Sequence, residues 1–392
     1  MKNYKPTFRT SLIAYILSTL IILIFLLKNS ASASVTVNSI EFIGQATLPT
    51  GSLFQKTEVG GLSGITYDKK NELYYAISDD RGQKSSPRFY TLKINLSKGK
   101  LTNNDVSIVG VTNLLDINNQ PFPPNTTDTE GIALTNKDTI FISSEGDVQK
   151  SINPFIKEFS LSSGKELSQL PIPEKLIPDV NQKKGIRNNL ALESLTITPN
   201  QKYLFTATEN ALIPDGEAAQ PDQGTNCRII QYNLLTNQPE KEFLYPTTPV
   251  PQIFNFTGRF DSGLPDLFAL DNQGNFLSVE RSFTGLGFAV LLFQVSLKDA
   301  DNIQEINSLV SIDGSKIRPV SKKLLLDLRS LDVALDNIEG LTLGSQLPNG
   351  QTSLILISDN NFNSLQRTQI LAFQLKLDSP LSRWLRRLSN FN

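Results

Sequence analysis

The sequence predicts an all-β protein, a single β-propeller built of four-stranded blades. A hairpin of two apolar, β-branched and aromatic strands, joined by a polar turn and ending next to an acidic residue, recurs five times. The copies stand 63 to 74 residues apart, which is too long for a solenoid repeat and matches four strands with their loops. We therefore expect five blades, or six if a degenerate copy lies within residues 246–265 or 300–335.

The five hairpins follow one pattern, from the first strand to the acid that follows the second. In the first copy an apolar strand leads through the turn at residues 68–71 to a second strand and then to Asp79, Asp80 and Arg81. The later copies keep this order with different side chains. The five copies are residues 61–81, 130–145, 193–209, 266–281 and 339–360.

Segments suited to the outer strands of a blade follow the first four hairpins. A strand-like segment at residues 38–48 also precedes the first copy, and we expect it to pair with residues 369–377 and so close the last blade. The predicted outer strands are residues 88–96, 105–112, 155–161, 166–172, 228–234, 240–245, 288–297 and 305–312, with 322–328 as a further candidate.

The first 33 residues have the features of a signal peptide. Basic residues precede an apolar run over residues 12–27, and Ala-Ser-Ala at residues 31–33 is a small-residue cleavage sequence. The run is short for a bilayer-spanning helix, which needs roughly 20 apolar residues, although a retained anchor stays open as the alternative. We expect removal of residues 1–33 and export of the propeller domain, residues 34–379, to the periplasm or the medium.

A basic tail at residues 380–392 contains Arg383, Arg386 and Arg387 at helical spacing. We expect a solvated tail, and contact of this short amphipathic segment with an anionic membrane surface is the alternative. The leader contains four basic residues and no acid, so its removal takes the formal net charge from −1 to −5, and this mild acidity argues against nucleic acid as a partner. We expect the protein to be a monomer.

Composition narrows the chemistry, because the chain contains no His. This excludes Ser-His-Asp and Cys-His catalysis, a His-liganded zinc site and an imidazole general base. The single Cys excludes an intramolecular disulfide. Any reaction must therefore use carboxylates, Lys, Arg, Tyr, hydroxyl groups or a bound metal.

A series of short motifs follows the blades in order. They are Gly61-Leu62-Ser63-Gly64-Ile65, Ser78-Asp79-Asp80-Arg81, Thr129-Glu130-Gly131-Ile132, Leu192-Glu193-Ser194-Leu195, Val279-Glu280-Arg281-Ser282, Asn337-Ile338-Glu339-Gly340-Leu341 and Ser358-Asp359-Asn360-Asn361-Phe362. In this order they resemble the phytase-like propeller family known for the esterase-like activity of phytase, over nearly the whole chain after the leader. The resemblance implies a propeller fold and metal-dependent hydrolysis of a phosphate or other ester, without implying which residues are catalytic.

Acidic residues occupy two equivalent places in the hairpins. One is the start of the first strand, as at Glu130, Glu193 and Glu339, and the other is the end of the second. Because the two strands are antiparallel, both places lie at the same mouth of the central channel. The predicted acidic ring consists of Asp79, Asp80, Glu130, Glu145, Glu193, Glu209, Glu280, Glu339 and Asp359.

Crowded carboxylates raise one another's pKa or require a cation. The ring therefore predicts a site for a hard metal with oxygen ligands, calcium above all, with Glu130, Glu193 and Glu339 as catalytic candidates. Arg81 and Arg281 are predicted to contact the substrate, because guanidinium groups suit phosphate. Two alternatives to a metal site stay open. In the first, each acid accepts hydrogen bonds from backbone N–H groups or pairs with an arginine. In the second, the acids act as general acid and base without a metal.

Two functions fit these features. The first is an exported, metal-dependent hydrolase of phosphate or other small esters, whose partner is a small-molecule ester or phosphate-containing ligand. The second is a non-catalytic propeller that binds a ligand or a protein, with the ring serving only the structure.

Overall fold

A computed structural model describes residues 34–179, 183–250, 258–285, 287–312 and 316–378 of the chain. The predicted leader and basic tail lie outside these residues. In the part described, the helical segments are short 3₁₀ turns, and no helix is long and apolar enough to cross a membrane. The 3₁₀ turns are Asn103–Asp105, Val148–Lys150, Glu174–Leu176, Ile213–Asp215 and Leu328–Ser330.

The strands form five four-stranded antiparallel sheets and one small hairpin. A long strand, β1 (Thr36–Leu48), and the hairpin β2 (Leu53–Phe54) with β3 (Thr57–Glu58) come first. Blade 1 contains β4 (Leu62–Asp68), β5 (Leu73–Ser78), β6 (Arg88–Ile94) and β7 (Val106–Asn113). Blade 2 contains β8 (Thr129–Leu134), β9 (Thr139–Ser144), β10 (Phe155–Ser160) and β11 (Glu166–Leu170). Blade 3 contains β12 (Thr196–Ile197), β13 (Tyr203–Ala207), β14 (Asn226–Asn233) and β15 (Gln238–Pro246). Blade 4 contains β16 (Asp261–Ala269), β17 (Asn275–Phe283), β18 (Phe288–Ser296) and β19 (Ser321–Asp327). Blade 5 contains β20 (Ile338–Gln346), β21 (Thr352–Ser358) and β22 (Thr368–Asp378), with β1 as its outer strand.

The innermost strands β4, β8, β12, β16 and β20 form a closed ring, in which each contacts the next and β20 contacts β4. Hydrogen bonds cross the gaps between blades. The Ser63 hydroxyl donates to the Glu130 carbonyl at 3.0 Å, and the Leu341 N–H donates to the Asp266 carboxylate at 2.7 Å. The predicted β-propeller is confirmed, and its described residues form five blades.

Apolar side chains fill each gap between neighbouring blades, because residues of a strand alternate between the two faces of its sheet. Five large buried clusters result, one for each gap. Leu356 of blade 5, for example, is fully buried in the cluster shared with Leu277 and Leu292 of blade 4. Truncation of such a side chain to Ala costs about 2–5 kcal/mol, so packing between the blades contributes strongly to the stability of the ring.

The N-terminal strand closes the ring as predicted. β1 runs antiparallel to β22, with Val37 opposite Leu377 and Leu48 opposite Thr368. A register shift lies next to Gly44, whose φ is 133°. A Cβ atom there would lie 2.3 Å from the Leu101 carbonyl oxygen, so the strand requires glycine to pass the first blade at this distance.

The predicted outer strand at residues 305–312 is wrong. Blade 4 ends instead with β19 (Ser321–Asp327), the further candidate, which pairs with β18. The Ile306 carbonyl accepts a hydrogen bond at 2.9 Å from Arg228, a buried residue of blade 3 that also binds Asp215 and Glu242. The segment is thus held as a loop that satisfies a buried guanidinium, and within the residues described neither suggested region forms a sixth blade.

Candidate metal and hydrolytic site

In four blades, the acidic residue that follows the second strand of the hairpin is fixed by an equivalent backbone hydrogen bond. The N–H groups of Asp79, Glu145, Glu209 and Asp359 donate to the carbonyls of Gly61, Asp128, Ala191 and Asn337, with N···O distances of 2.6, 2.9, 2.8 and 2.9 Å. Each acceptor lies in the segment that leads into the innermost strand of the same blade. Four carboxylates therefore project at one end of the propeller, as the antiparallel hairpins predict.

In blade 4 the equivalent position holds an arginine. Strand β17 continues to Phe283, and Arg281 pairs with Gly263 of β16. Glu280 precedes it in the strand and points to the opposite face, where it accepts hydrogen bonds from the Tyr245 hydroxyl and the Thr248 N–H, each at 2.7 Å. It also pairs with Lys322. The structure does not bring Glu280 to the ring.

Five acids from blades 1 to 3 form what we call the acid half of the ring. Single oxygens of Asp79, Asp128 and Glu130 lie within 4.8 Å of one another, and so do single oxygens of Glu130, Glu145 and Glu193. Glu130 belongs to both groups and is only 6% exposed. No described residue donates a hydrogen bond to its carboxylate, so Glu130 lies at the centre of a concentrated negative charge.

A second group, which we call the arginine half, consists of Glu209, Asp261, Arg281 and Glu339. The Arg281 Nη2 donates to Glu209 and to Glu339, both at 3.1 Å, and Nη1 binds Asp261. Arg281 is 6% exposed, and its three acidic neighbours hold its pKa well above the usual value against the effect of burial. One cation thus offsets part of the charge of three acids.

Burial raises the pKa of the five carboxyls of the acid half and of Glu209 and Glu339 in the arginine half, and neighbouring acids raise it further. The pKa of Glu145 rises to about 7 although the Ala191 N–H donates to it. The pKa of Glu339 also rises to about 7, where burial outweighs the opposing effect of Arg281. Burial also raises the pKa of Glu130, Glu193, Glu209 and Asp359 well above the ordinary range. These acids hold protons or require a cation at neutral pH.

Arg81 stands at the edge of the acid half and is already engaged. Its Nε donates to Asp128 at 2.6 Å, and Nη2 binds Asn189 in the neighbouring loop. Burial raises the pKa of Asp128 far above the usual range, and the negative charge of Asp79 adds to the shift in spite of Arg81. Both arginines predicted to meet the substrate therefore contact ring carboxylates in the structure.

Asp80 lies outside both oxygen groups. One of its oxygens pairs with the fully buried Arg88 at 2.7 Å, and its carboxylate accepts the N–H groups of Gln83, Lys84 and Ser85. These bonds hold the loop after β5. Asp359 does belong to the ring, since the charges of Glu339 and Asp79 act on it, and it accepts the Asn361 N–H at 2.7 Å.

The ring contains residues that the sequence interpretation missed. Asp128 stands two residues before Glu130, as Asn337 stands two residues before Glu339, so aligning the hairpins would have revealed a polar position there. The Asn337 amide donates to Glu339 at 2.7 Å. Asp261 has no such counterpart, and only its contact with Arg281 reveals it.

A cleft of about 1260 Å³ opens between blades 4 and 5 beside the arginine half. Arg281, Asp261 and Asn337 line it, together with aromatic side chains and the loop after β21. A smaller cavity of about 490 Å³ lies at the other end of the central channel and is lined by residues such as Thr66, Thr196 and Thr342. The larger cleft gives the ring a route for small molecules.

The chain belongs to the phytase-like family with the description "Esterase-like activity of phytase", whose model matches residues 57–362. This span covers all five hairpins and both halves of the ring. The resemblance noted in the sequence is confirmed. Among curated protein sequences, none matches this chain.

Similar solved structures include other propellers and glycoside hydrolases. An endo-arabinase from Bacteroides thetaiotaomicron is 12% identical, with a TM-score of 0.41. The match covers 83% of this chain and 96% of the endo-arabinase chain. An α-L-arabinofuranosidase from Lactobacillus brevis is 10% identical with a TM-score of 0.43, and covers 81% of this chain and 91% of its own. Because these similarities are low, the site is interpreted from its own residues.

Proposed function

We propose that this phytase-like propeller is a metal-dependent hydrolase of phosphate or other small esters, with calcium as the metal. The observation that carries the proposal is the position of Glu130, whose carboxylate is shared by two groups of three oxygens within 4.8 Å. Five buried or half-buried acids with one flanking arginine, Arg81, leave an excess of negative charge. A cation is the simplest way to hold these acids ionised in one place.

The donors of the acid half suit calcium. All of them are carboxylate oxygens, and the chain contains no His. Calcium takes six to eight oxygen ligands in flexible geometry, whereas zinc favours nitrogen and sulfur. Asp79, Asp128, Glu130, Glu145 and Glu193 would hold the ion. A bound divalent cation would polarise the phosphoryl or acyl oxygen and offset the charge that develops there.

The arginine half would supply the remaining chemistry. Glu339, with a pKa of about 7, suits a general base that accepts a proton from the attacking water as its oxygen bonds to phosphorus or carbon. The ester bond then breaks, and the leaving oxygen takes up the proton that Glu339 accepted, or one from bulk water while Glu339 releases its own. Arg281 orients Glu339 at 3.1 Å and, together with Arg81, adds positive charge near the transferred group.

One observation favours the second function, a non-catalytic propeller that binds a ligand. Arg81 binds Asp128, and Arg281 binds three acids, so neither guanidinium is reserved for a substrate. In that case a cation in the acid half would stabilise the fold without turnover.

The test compares stability and turnover in the same samples. Protein freed of metal with EDTA is assayed for melting temperature and for hydrolysis of p-nitrophenyl phosphate and p-nitrophenyl acetate, before and after calcium is added. Calcium-dependent hydrolysis that Glu130→Gln abolishes is the expected result. The matched control is Glu72→Gln, which changes an exposed glutamate in the turn at the opposite end of blade 1 and should leave both readouts unchanged.

A calcium-dependent rise in melting temperature without hydrolysis of either ester would favour the binding propeller. Hydrolysis that persists in EDTA and in Glu130→Gln would contradict a metal-dependent reaction at this ring.

Location and partners complete the proposal. The protein acts outside the cytoplasm as a monomer, on a small ester or phosphate-containing ligand, after loss of residues 1–33. Mass spectrometry of the protein isolated from its producing cells should give a chain that begins at Ser34. A chain that still begins at Met1 would contradict cleavage.

A further inference from the structure

The cleft between blades 4 and 5 has two walls of different chemistry. One wall contains the aromatic side chains of Phe260, Phe283 and Phe288. Phe283 and Phe288 stand opposite each other at the ends of β17 and β18, with ring centroids 5.2 Å apart and planes inclined by 51°. All three phenylalanines are only half-buried, so they offer apolar surface to a molecule within the cleft.

The other wall is mainly polar and comes from the loop after β21. Asn361, Asn363, Gln366 and Arg367 line it, together with the exposed Leu365. Arg367 is held in place, since its N–H donates to Asp336 at 3.0 Å and its Nη2 donates to the Ala334 carbonyl at 2.7 Å. Its side chain is nevertheless 41% exposed. The wall therefore places amide groups and a guanidinium, paired with Asp336 at 3.6 Å, opposite the phenylalanines.

The floor of the cleft joins it to the acidic ring. Arg281 and Asp261 line the cleft, and the same Arg281 binds Glu209 and Glu339 of the arginine half. A molecule in the cleft therefore lies next to the proposed general base. If the ester group of a substrate reaches the ring, the rest of the substrate must lie in the cleft, between the aromatic and the polar walls.

We infer that this cleft binds the organic part of the substrate, and that this part carries an aromatic or similarly flat apolar ring next to the anionic ester. The inference rests on the proposed function for the direction in which the ester points. The ring packs on Phe283 and Phe288, while Arg367 and the amide groups meet polar atoms at the ring edge or the anionic group. Flat rings bind well to such half-exposed aromatic pairs.

Binding of non-hydrolysable probes tests the subsite independently of turnover. Calorimetry with the calcium-loaded full-length protein compares benzylphosphonate with methylphosphonate, which share the anionic group and differ by the ring. Benzylphosphonate should bind at least about tenfold more tightly, because the phenyl ring loses its contact with water. Phe283→Ala and Phe288→Ala should each remove most of that preference and leave methylphosphonate binding unchanged.

The matched control is Phe268→Ala, the same substitution at a half-buried phenylalanine that lines the cavity at the other end of the channel. It should keep the preference for benzylphosphonate. Melting temperatures of all three variants identify loss of fold. Equal affinity of the two probes for the wild-type protein, or an equal effect of all three variants, would overturn the subsite.

Kinetics separate this inference from the proposed function. If benzylphosphonate binds as described but p-nitrophenyl phosphate is not hydrolysed, the catalytic proposal fails and the subsite stands. If hydrolysis is calcium-dependent but KM for the aryl ester is the same in Phe283→Ala and in the wild type, the subsite fails and the catalytic proposal stands.

Discussion

The acid half and the arginine half of the ring are built on the same hairpin geometry and differ mainly in one position. Where blades 1, 2, 3 and 5 place an acid after the second strand, blade 4 places Arg281 opposite Gly263. On one side of the channel mouth, carboxylates therefore crowd around Glu130, and on the other side three acids share a guanidinium. One residue in the repeated hairpin thus separates a site suited to a metal cation from a site in which a guanidinium is the cation.

The largest effect should follow removal of that guanidinium. Arg281→Met leaves Glu209, Asp261 and Glu339 without their cation, and we expect a loss of about 3–5 kcal/mol in the free energy of unfolding. Urea denaturation in EDTA measures this loss. Arg318→Met is the control, because its solvent-exposed pair with Asp301 should contribute little to stability. Equal, small losses in both variants would show that the arginine half does not depend on Arg281.

The second-largest effect should be on calcium affinity, which substitutions in the acid half should lower more than substitutions in the arginine half. Glu130→Gln removes a ligand that both oxygen groups share and should weaken calcium binding at least about tenfold, since affinity follows the number of charged ligands. Glu339→Gln should change it by less than about threefold while lowering hydrolysis, because Glu339 lies in the arginine half. Calorimetric titration of the two variants measures the difference. If both variants lose calcium equally, the division into halves is wrong.

Stability should depend on pH in a direction set by the raised pKa values. The folded protein holds protons on Glu145 and Glu339 up to about pH 7, whereas an ordinary glutamate releases its proton near 4.5. Between these values the folded state binds more protons, so the free energy of unfolding should fall as pH rises through this window. Melting temperatures in EDTA measure the fall, and calcium should reduce it. A metal-free protein that becomes more stable across this window would contradict the assignment.

The smallest effect on calcium should come from the two acids that the structure places away from the oxygen groups. Asp80→Asn and Glu280→Gln should leave calcium affinity within about twofold of wild type, because Asp80 binds Arg88 and Glu280 binds Lys322. Both variants should still lose stability, since a buried partner charge remains unpaired. Weaker calcium binding in Glu280→Gln would mean that the side chain turns toward the ring.

Much of the fold follows from local patterns. The turn at residues 68–71 and the alternating strands around it predict β4 and β5, and the spacing of the copies predicts the blades. The alternation of residues 38–48 predicts the closing strand, because a propeller needs one more partner for its last sheet. The prediction of a strand at residues 305–312 was wrong because the Ile306 carbonyl of that segment accepts a hydrogen bond from Arg228, which is remote in sequence.

The sequence predicted which end of the hairpins carries the acidic ring, but not which residue of each strand faces it. The equivalent places in the hairpins predicted Glu130, Glu193 and Glu339 at one mouth. In the structure an oxygen of Glu130 lies within 4.8 Å of one of Glu193, whereas Glu339 pairs with Arg281. The exchange of Glu280 for Arg281 was not predictable, because it depends on β17 extending to Phe283 and pairing with Gly263. A shift of one residue reverses the face of a side chain, and the sequence pattern alone does not define that shift.

A crystal structure determined in millimolar calcium would show whether the acid half binds an ion. We predict an ion there, with a Glu130 oxygen at about 2.3–2.6 Å from it and further oxygens from Asp79, Asp128, Glu145 or Glu193. Density for an ion bound only in the arginine half, or carboxylates of the acid half closed on one another with no ion between them, would contradict the account.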